Sequence, residues 1–157
     1  YLEDETGKEK TYMNGRILLD TNIIVYIYDP FDSTKQERAI AIVDRLIQTN
    51  RAVISSQVMG EFFIATTRAT RQLLSPAEAI ARIRNYISAC SVVDVTRLIT
   101  LEAIRGVEAH NFGFWDAQIW ATARLNQISE VYSEDFNTGA IIEGVQFTNP
   151  LAAESQA

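Results

Sequence analysis

Residues 16–22 read Arg-Ile-Leu-Leu-Asp-Thr-Asn, and this stretch decides the fold of the chain. Three branched apolar residues in a row predict a short strand that is buried on both faces, as in a parallel sheet. The run ends at Asp20, and a second apolar run covers residues 23–27. A carboxylate between two buried elements needs a partner, because burying an unpaired charge is costly. Ligands of open α/β sheets bind at the carboxyl ends of the strands, so Asp20 is the first candidate for a functional residue.

The composition limits the class of protein and the chemistry open to it. With 157 residues, 47% of them apolar and 22% charged, the chain has the profile of a single globular domain. No apolar run approaches the roughly 18 residues that cross a bilayer, and no signal-peptide pattern is present, so we expect no membrane association. A single cysteine excludes an internal disulfide and fits a reducing cytoplasm. One Cys and one His cannot build a Cys/His zinc site from this chain alone, so carboxylates must carry most of any catalysis.

The net charge of −6 argues weakly against nonspecific binding to nucleic acid. The charge is unevenly distributed, however, because four arginines lie within 17 residues: Arg68, Arg71, Arg82 and Arg84. The fork of a guanidinium group suits phosphates, which makes the four arginines candidates for RNA binding. An exposed helix face explains them at least as well.

Strands alternate with helices along the chain. The strands are predicted at residues 17–19, 52–54, 92–95, 130–133 and 145–148. Four helices are predicted at residues 21–28, 33–48, 97–108 and 115–126. Two more are predicted to begin after an N-cap at Ser56 and after a capping box formed by Ser75 and Glu78. This order predicts an α/β domain with a mostly parallel sheet over residues 13–151. Residues 1–12 are interpreted as a flexible head or a cloning remnant, and residues 152–157 as a tail.

Four acidic residues stand out by position. Asp20 ends the first strand, Glu61 lies among apolar residues in the helix after the second strand, Asp116 opens an apolar helix, and Asp135 follows the fourth strand. If the first, second and fourth strands adjoin, all four carboxylates gather at one end of the sheet. Each also has an ordinary alternative role: a helix cap for Asp116, a turn for Asp135, and the polar side of a helix for Glu61.

A cluster of carboxylates favours a bound cation. Packed like charges raise one another's pKa unless a cation neutralises them. Ligand oxygens without His or Cys favour Mg²⁺ or Mn²⁺.

The segments that hold these acids resemble the successive motifs of PIN-domain nucleases, and more narrowly of VapC-type toxins of bacterial toxin–antitoxin systems. They are residues 18–22 (Leu-Leu-Asp-Thr-Asn), 55–62 (Ser-Ser-Gln-Val-Met-Gly-Glu-Phe), 116–123 (Asp-Ala-Gln-Ile-Trp-Ala-Thr-Ala) and 132–136 (Tyr-Ser-Glu-Asp-Phe). Residues 143–151 also resemble the ending of one branch of that group. The resemblance extends over residues 13–151.

The resemblance implies a PIN-like three-layer sandwich, with a mostly parallel sheet of order 3-2-1-4-5 and helices on both faces. It implies that Asp20, Glu61, Asp116 and Asp135 are catalytic and hold one or two Mg²⁺ or Mn²⁺ ions. By the same resemblance, Asn22 and Ser133 support the acids. The implied activity is hydrolysis of RNA phosphodiesters, leaving a 5′-phosphate and a 3′-hydroxyl, and the implied partners are a cognate antitoxin protein and a second copy of the chain.

Two other interpretations start from the same residues. A receiver or phosphoryl-transfer domain also clusters acids at strand ends, but it needs a lysine near its site, and Lys35 falls on a predicted surface helix. A catalytically silent PIN-like domain could serve as a binding module or scaffold, although such domains usually lack one or more of the acids. The aromatic residues beside Asp116, namely Phe112, Phe114 and Trp115, could stack on unpaired bases, but core packing explains them more simply.

Overall fold

The computed structural model describes residues 15–153. The predicted head, residues 1–12, lies outside the described residues, as do residues 154–157 of the predicted tail. Within the described part of the chain, no helix is long and apolar enough to cross a membrane.

A six-stranded sheet with the order β3-β2-β1-β4-β6-β5 forms the centre of the domain. All neighbouring strands are parallel except β5 and β6, which are antiparallel. The strands are β1 (Ile17–Leu19), β2 (Ala52–Ser55), β3 (Ser91–Val93), β4 (Glu130–Tyr132), β5 (Ile141–Ile142) and β6 (Val145–Thr148). The predicted fold class is confirmed, because the five parallel strands follow the predicted order 3-2-1-4-5, with β6 as the predicted fifth strand.

The antiparallel edge strand β5 is the element that the sequence prediction missed. It has only two residues, too few to show an alternating pattern. A two-residue turn joins it to β6, and both turn residues have positive φ, 46° at Glu143 and 82° at Gly144. Such turns usually have Asn or Asp at the first position, so Glu143 gave no hairpin signal.

In the part of the chain that the structure describes, six α-helices surround the sheet: α1 (Thr21–Tyr26), α2 (Ser33–Gln48), α3 (Ser56–Thr67), α4 (Pro76–Ala89), α5 (Arg97–His110) and α6 (Phe114–Leu125). Every residue of β1 and β2 is buried. Because successive side chains of a strand point to opposite faces, the helices must cover both faces of the sheet at its centre. Helix α6 is buried along the whole stretch from residue 117 to 123, as its apolar composition predicts.

The N-cap of α3 is not the predicted residue. Ser55, not Ser56, is the N-cap, since its Oγ accepts a hydrogen bond from the Val58 N–H at 3.2 Å. The Ser56 Oγ accepts instead from the Val95 N–H at 2.9 Å, which joins α3 to the loop after β3. Two adjacent serines are equally good caps by composition, so only the tertiary contact decides between them. The capping box predicted for α4 is confirmed.

Helices α5 and α6 approach each other closely at Gly106. A Cβ added at Gly106 would lie 2.6 Å from the Trp120 ring, whose side chain is fully buried. The indole Nε1 of Trp120 also donates to the Ile142 carbonyl at 3.0 Å, which joins α6 to the β5–β6 hairpin. The position of α6, and therefore of Asp116 in its first turn, depends on the absence of a side chain at residue 106.

This contact predicts a stability difference between two glycine substitutions. Gly60, in α3, has nothing within 4 Å of an added Cβ. Both Gly106→Ala and Gly60→Ala gain the same helix propensity, so this contribution cancels between them. We expect the Gly106→Ala protein to be less stable than the Gly60→Ala protein by about 1–3 kcal/mol, the usual cost of overpacking. Urea unfolding of the two variants measures the difference, and equal stabilities would show that the ring moves aside freely.

Candidate functional site

Asp20 lies directly after β1 and is the most buried acid of the candidate site, with 5% of its surface exposed. Its Oδ1 accepts a hydrogen bond from the Thr21 N–H at 2.7 Å, and its Oδ2 accepts from the Ser133 hydroxyl at 2.6 Å. The Ser133 Oγ in turn accepts from the Asp135 N–H at 3.1 Å. Ser133, predicted to support the acids, therefore connects the strand end that holds Asp20 to the segment that holds Asp135.

The four predicted acids, Asp20, Glu61, Asp116 and Asp135, line one open cavity of about 320 Å³. Strand β1 lies between β2 and β4, and Leu19 is paired with Tyr132. The carboxyl ends of these three strands therefore adjoin, as the sequence prediction required. Asp116 lies in the first turn of α6 but is not its N-cap, which is Gly113.

The electrostatics of the cavity disfavour negative charge. Burial raises the pKa of Asp20 to about 6, against the lowering effect of its hydrogen bonds from Ser133 and Thr21 and with a further increase from the charges of Asp135 and Glu61. Burial also raises the pKa of Asp116, and Asp135 and Glu61 add to that increase. No Lys, Arg or His is among the described residues that line the cavity. The lining residues within 15–153 therefore supply no positive charge that would balance the acids.

The donor set fits Mg²⁺ or Mn²⁺, because it consists of carboxylate oxygens around a polar opening. Within residues 15–153, however, no three His, Cys, Asp or Glu side chains come close enough to form a complete ligand group. The structure thus brings the acids to the same cavity without arranging them around a single point.

Asn22, the second predicted supporting residue, also lines this cavity. Its Oδ1 accepts from the Glu134 N–H at 3.3 Å, which fixes the orientation of its amide. Its Nδ2 is buried and has no hydrogen-bond partner among the described residues. A buried unsatisfied donor is uncommon, and the hydrogen bond to the Oδ1 of the same amide is what fixes the position of this N–H group.

Glu61 is held by side chains that the sequence analysis did not select. The Thr21 hydroxyl donates to its Oε2 at 2.6 Å, and the Gln57 Nε2 donates to its Oε1 at 2.8 Å. The Gln57 Oε1 accepts from the Gln118 Nε2 at 3.0 Å. Gln57 precedes Glu61 by one helical turn, so the i, i+4 spacing could have identified it. Gln118 gives no such signal, because its contact with Gln57 joins two different helices.

The segment before Asp135 is fixed through Glu134. The Tyr26 hydroxyl donates to one Glu134 oxygen at 2.7 Å, and the Lys35 Nζ lies 2.7 Å from the other. Lys35 thus pairs with a residue next to the site, although it does not line the cavity itself.

None of the four clustered arginines lines the acidic cavity. Arg71 contacts both oxygens of the buried Asp29 at 2.7 Å, so its guanidinium is already paired. The Arg82 guanidinium lies 5.8 Å from the centre of the Tyr28 ring. Arg68 and Arg84 are exposed. RNA binding by these arginines stays a prediction.

The family of the chain follows from a comparison with family models. Residues 17–140, a stretch that includes all four acids, match the model described as the PIN domain. The chain belongs to the PIN-domain family. The predicted resemblance to PIN domains is confirmed by this match. No curated protein sequence matches the chain.

Several solved structures share the fold. VapC20 of Mycobacterium tuberculosis, described as a sarcin-ricin loop cleaving toxin, is 21% identical, with a TM-score of 0.60 over 76% of this chain and 89% of that chain. A toxin–antitoxin complex from Klebsiella pneumoniae is 19% identical, with a TM-score of 0.61 over 85% of this chain and 97% of that chain. DNA-bound VapBC from Salmonella typhimurium is 22% identical, with a TM-score of 0.61 over 84% of this chain and 96% of that chain. These similarities confirm that the chain has the fold of VapC toxins.

The raised pKa of Asp20 predicts how stability depends on pH in this PIN domain. The folded protein holds the proton more tightly than the unfolded chain, whose Asp pKa is about 3.9. The contribution of Asp20 to the stability of the metal-free protein should therefore be most favourable below about pH 4, and should fall by up to about 3 kcal/mol as the pH rises through about 6. Asp20→Asn removes this loss, because an amide stays neutral and the Ser133 hydroxyl can reverse its bond to it.

Urea unfolding in EDTA, from about pH 4.5 to about pH 8, measures this difference. We expect the Asp20→Asn protein to be the more stable of the two at the upper end, with the difference shrinking toward the lower end. A difference that does not change with pH would contradict the assignment to Asp20.

Proposed function

We propose that this PIN domain is a metal-dependent endoribonuclease that hydrolyses RNA phosphodiesters, and that it is the toxin of a toxin–antitoxin pair. The observation that carries the proposal is the single cavity lined by Asp20, Glu61, Asp116 and Asp135, with no basic side chain among its described lining residues. Four carboxylates that share a cavity need a cation, and a cation among oxygen ligands suits phosphate chemistry.

In this proposal the four acids would hold one or two Mg²⁺ or Mn²⁺ ions. The bound ion would lower the pKa of a coordinated water and neutralise charge on the phosphate. Ser133 and the Thr21 N–H orient Asp20, and their hydrogen bonds favour its ionised form, which metal binding requires. Gln57 and the Thr21 hydroxyl orient Glu61. The water oxygen would form a new bond to phosphorus as the P–O3′ bond breaks, which leaves a 5′-phosphate, and the proton that the water loses balances the one that the 3′ oxygen takes up.

The structural relatives support the biological part of the proposal. VapC20 is described as cleaving the sarcin-ricin loop, and other relatives are complexes of a toxin with its antitoxin. We extend both properties to this chain, together with the homodimer implied by the resemblance to VapC-type toxins. The identity of the target RNA does not follow from these relatives.

The central test is cleavage of a labelled single-stranded RNA by the purified protein. We expect cleavage with Mg²⁺ or Mn²⁺, none in EDTA, and a loss of at least a hundredfold for Asp20→Asn, because one metal ligand is removed. Analysis of the ends should find 5′-phosphates. Stable RNA in every condition, together with no metal binding by calorimetry, would instead favour a catalytically silent scaffold.

The hydrogen bond from Gln57 to Glu61 predicts an effect on metal affinity. Gln57→Leu keeps the size of the side chain but removes the donor to Glu61, and residues that orient metal ligands typically contribute 10–100-fold to affinity. We expect Mn²⁺ binding, measured by calorimetry, to weaken by about tenfold.

Gln36→Leu is the matched control for this substitution. The Gln36 Nε2 also donates a hydrogen bond, but to the Ile27 carbonyl, and Gln36 does not line the acidic cavity. If both variants bind Mn²⁺ as tightly as the unsubstituted protein, Gln57 does not position a ligand.

A further inference from the structure

A second groove, of about 540 Å³, adjoins the acidic cavity. Trp115 lines it, together with Gly60, Ile64 and Val95. The Trp115 side chain is 62% exposed and the Ile64 side chain 64% exposed, so the groove presents apolar surface to solvent. Exposed apolar surface of this kind marks binding sites more often than scattered apolar residues do.

The groove and the acidic cavity form a continuous surface. Both are lined by Gln57, Glu61 and Trp115. The Gln57 Nε2 donates to the Trp115 carbonyl at 3.2 Å as well as to Glu61, so a single side chain fixes the boundary between the two. Trp115 also immediately precedes Asp116 in the chain. A group stacked on the indole would therefore lie beside the acids.

Gly60 keeps the groove open. Glycine inside a helix is unfavourable compared with alanine, so its presence in α3 calls for a reason. Close packing is not the reason, because a Cβ at residue 60 would meet nothing within 4 Å. The absence of a side chain at Gly60 leaves open space in the groove that Trp115 also lines.

We propose that this groove binds an unpaired nucleobase of the RNA substrate, stacked on the face of Trp115. This inference rests on the proposed nuclease function and adds the class of substrate to it. A nucleotide joins an uncharged, flat base to a charged phosphate, and the structure places an apolar groove with an aromatic wall beside a cavity built for a cation. An apolar peptide matches only the groove.

The groove selects single-stranded RNA over a duplex. In a duplex both faces of each base are covered by the neighbouring bases, so no face is free for Trp115. Stacking on an aromatic ring accepts every base, so the groove favours unpaired nucleotides without selecting a sequence.

Tryptophan fluorescence tests the contact directly. The chain has two tryptophans, and Trp120 is fully buried, so a change in emission on RNA binding reports on Trp115. A short single-stranded RNA is titrated into the Asp20→Asn protein with Mg²⁺, which keeps the RNA intact. We expect quenching by the single strand, less quenching by a duplex of the same sequence, and none in a protein that also has Trp115→Leu.

Cleavage kinetics in the active protein give a second measurement. We expect Trp115→Leu, which removes the ring, and Gly60→Leu, which fills the groove, each to raise KM for single-stranded RNA by about tenfold with little change in kcat. Phe31→Leu is the matched control, because Phe31 is an exposed aromatic residue (87%) that lines neither the groove nor the acidic cavity.

The outcomes separate this inference from the proposed function. Metal-dependent cleavage with an unchanged KM in both groove variants would overturn base stacking and leave the nuclease in place. Absence of both cleavage and RNA binding would overturn the two together. Loss of a bound protein partner from Trp115→Leu, with RNA cleavage unchanged, would assign the groove to that partner and also overturn the inference.

Discussion

The buried carboxylate of Asp20 is the constraint on which the rest of the candidate site depends. It follows the central strand β1, and its two oxygens accept hydrogen bonds from the Thr21 N–H and from the hydroxyl of Ser133, which follows β4. A charge in this position would destabilise the domain if nothing compensated for it. The hydrogen bonds compensate in part, and the remaining cost is visible in a pKa raised to about 6. The domain therefore contains a carboxyl group whose ionised form a positively charged ligand would stabilise.

Two helices supply Glu61 and Asp116, and the positions of these acids depend on helix packing rather than on the site itself. Helix α6 is buried on nearly all sides, and the missing side chain at Gly106 lets its Trp120 ring pack against α5. Helix α3 is joined to α6 through the bond between Gln57 and Gln118. Glu61 and Asp116 thus approach the cavity from two helices that are fixed to each other. Rigid support of this kind is what a metal-dependent hydrolase needs, because ligand geometry determines the reactivity of the bound water.

Much of the fold could be predicted from sequence because its signals are local. Apolar runs mark the buried strands, and the capping box of Ser75 and Glu78 predicts the first residue of α4 correctly. The grouping of the four acids followed from the same logic, since parallel strands place their carboxyl ends together. Strand β5, the choice of Ser55 over Ser56 as a cap, and the contact between Gln57 and Gln118 could not be predicted. Each depends on a tertiary contact that leaves no periodic pattern in the sequence.

The distribution of charge around the cavity makes the binding of a polyanion depend on a cation. Carboxylates line the cavity, and no Lys, Arg or His is among its described lining residues. Of the four clustered arginines, Arg71 is paired with Asp29. A phosphate therefore has no fixed positive charge to bind at the acids, and without a cation the carboxylates repel it. Affinity for a polyanion at this site is then conditional on metal. In the proposed nuclease, the apolar groove beside Trp115 would contribute an interaction that does not depend on charge, so that it would hold a base while the metal would hold the phosphate. Two weak interactions of different origin, joined through the covalent structure of one nucleotide, bind more tightly together than either does alone.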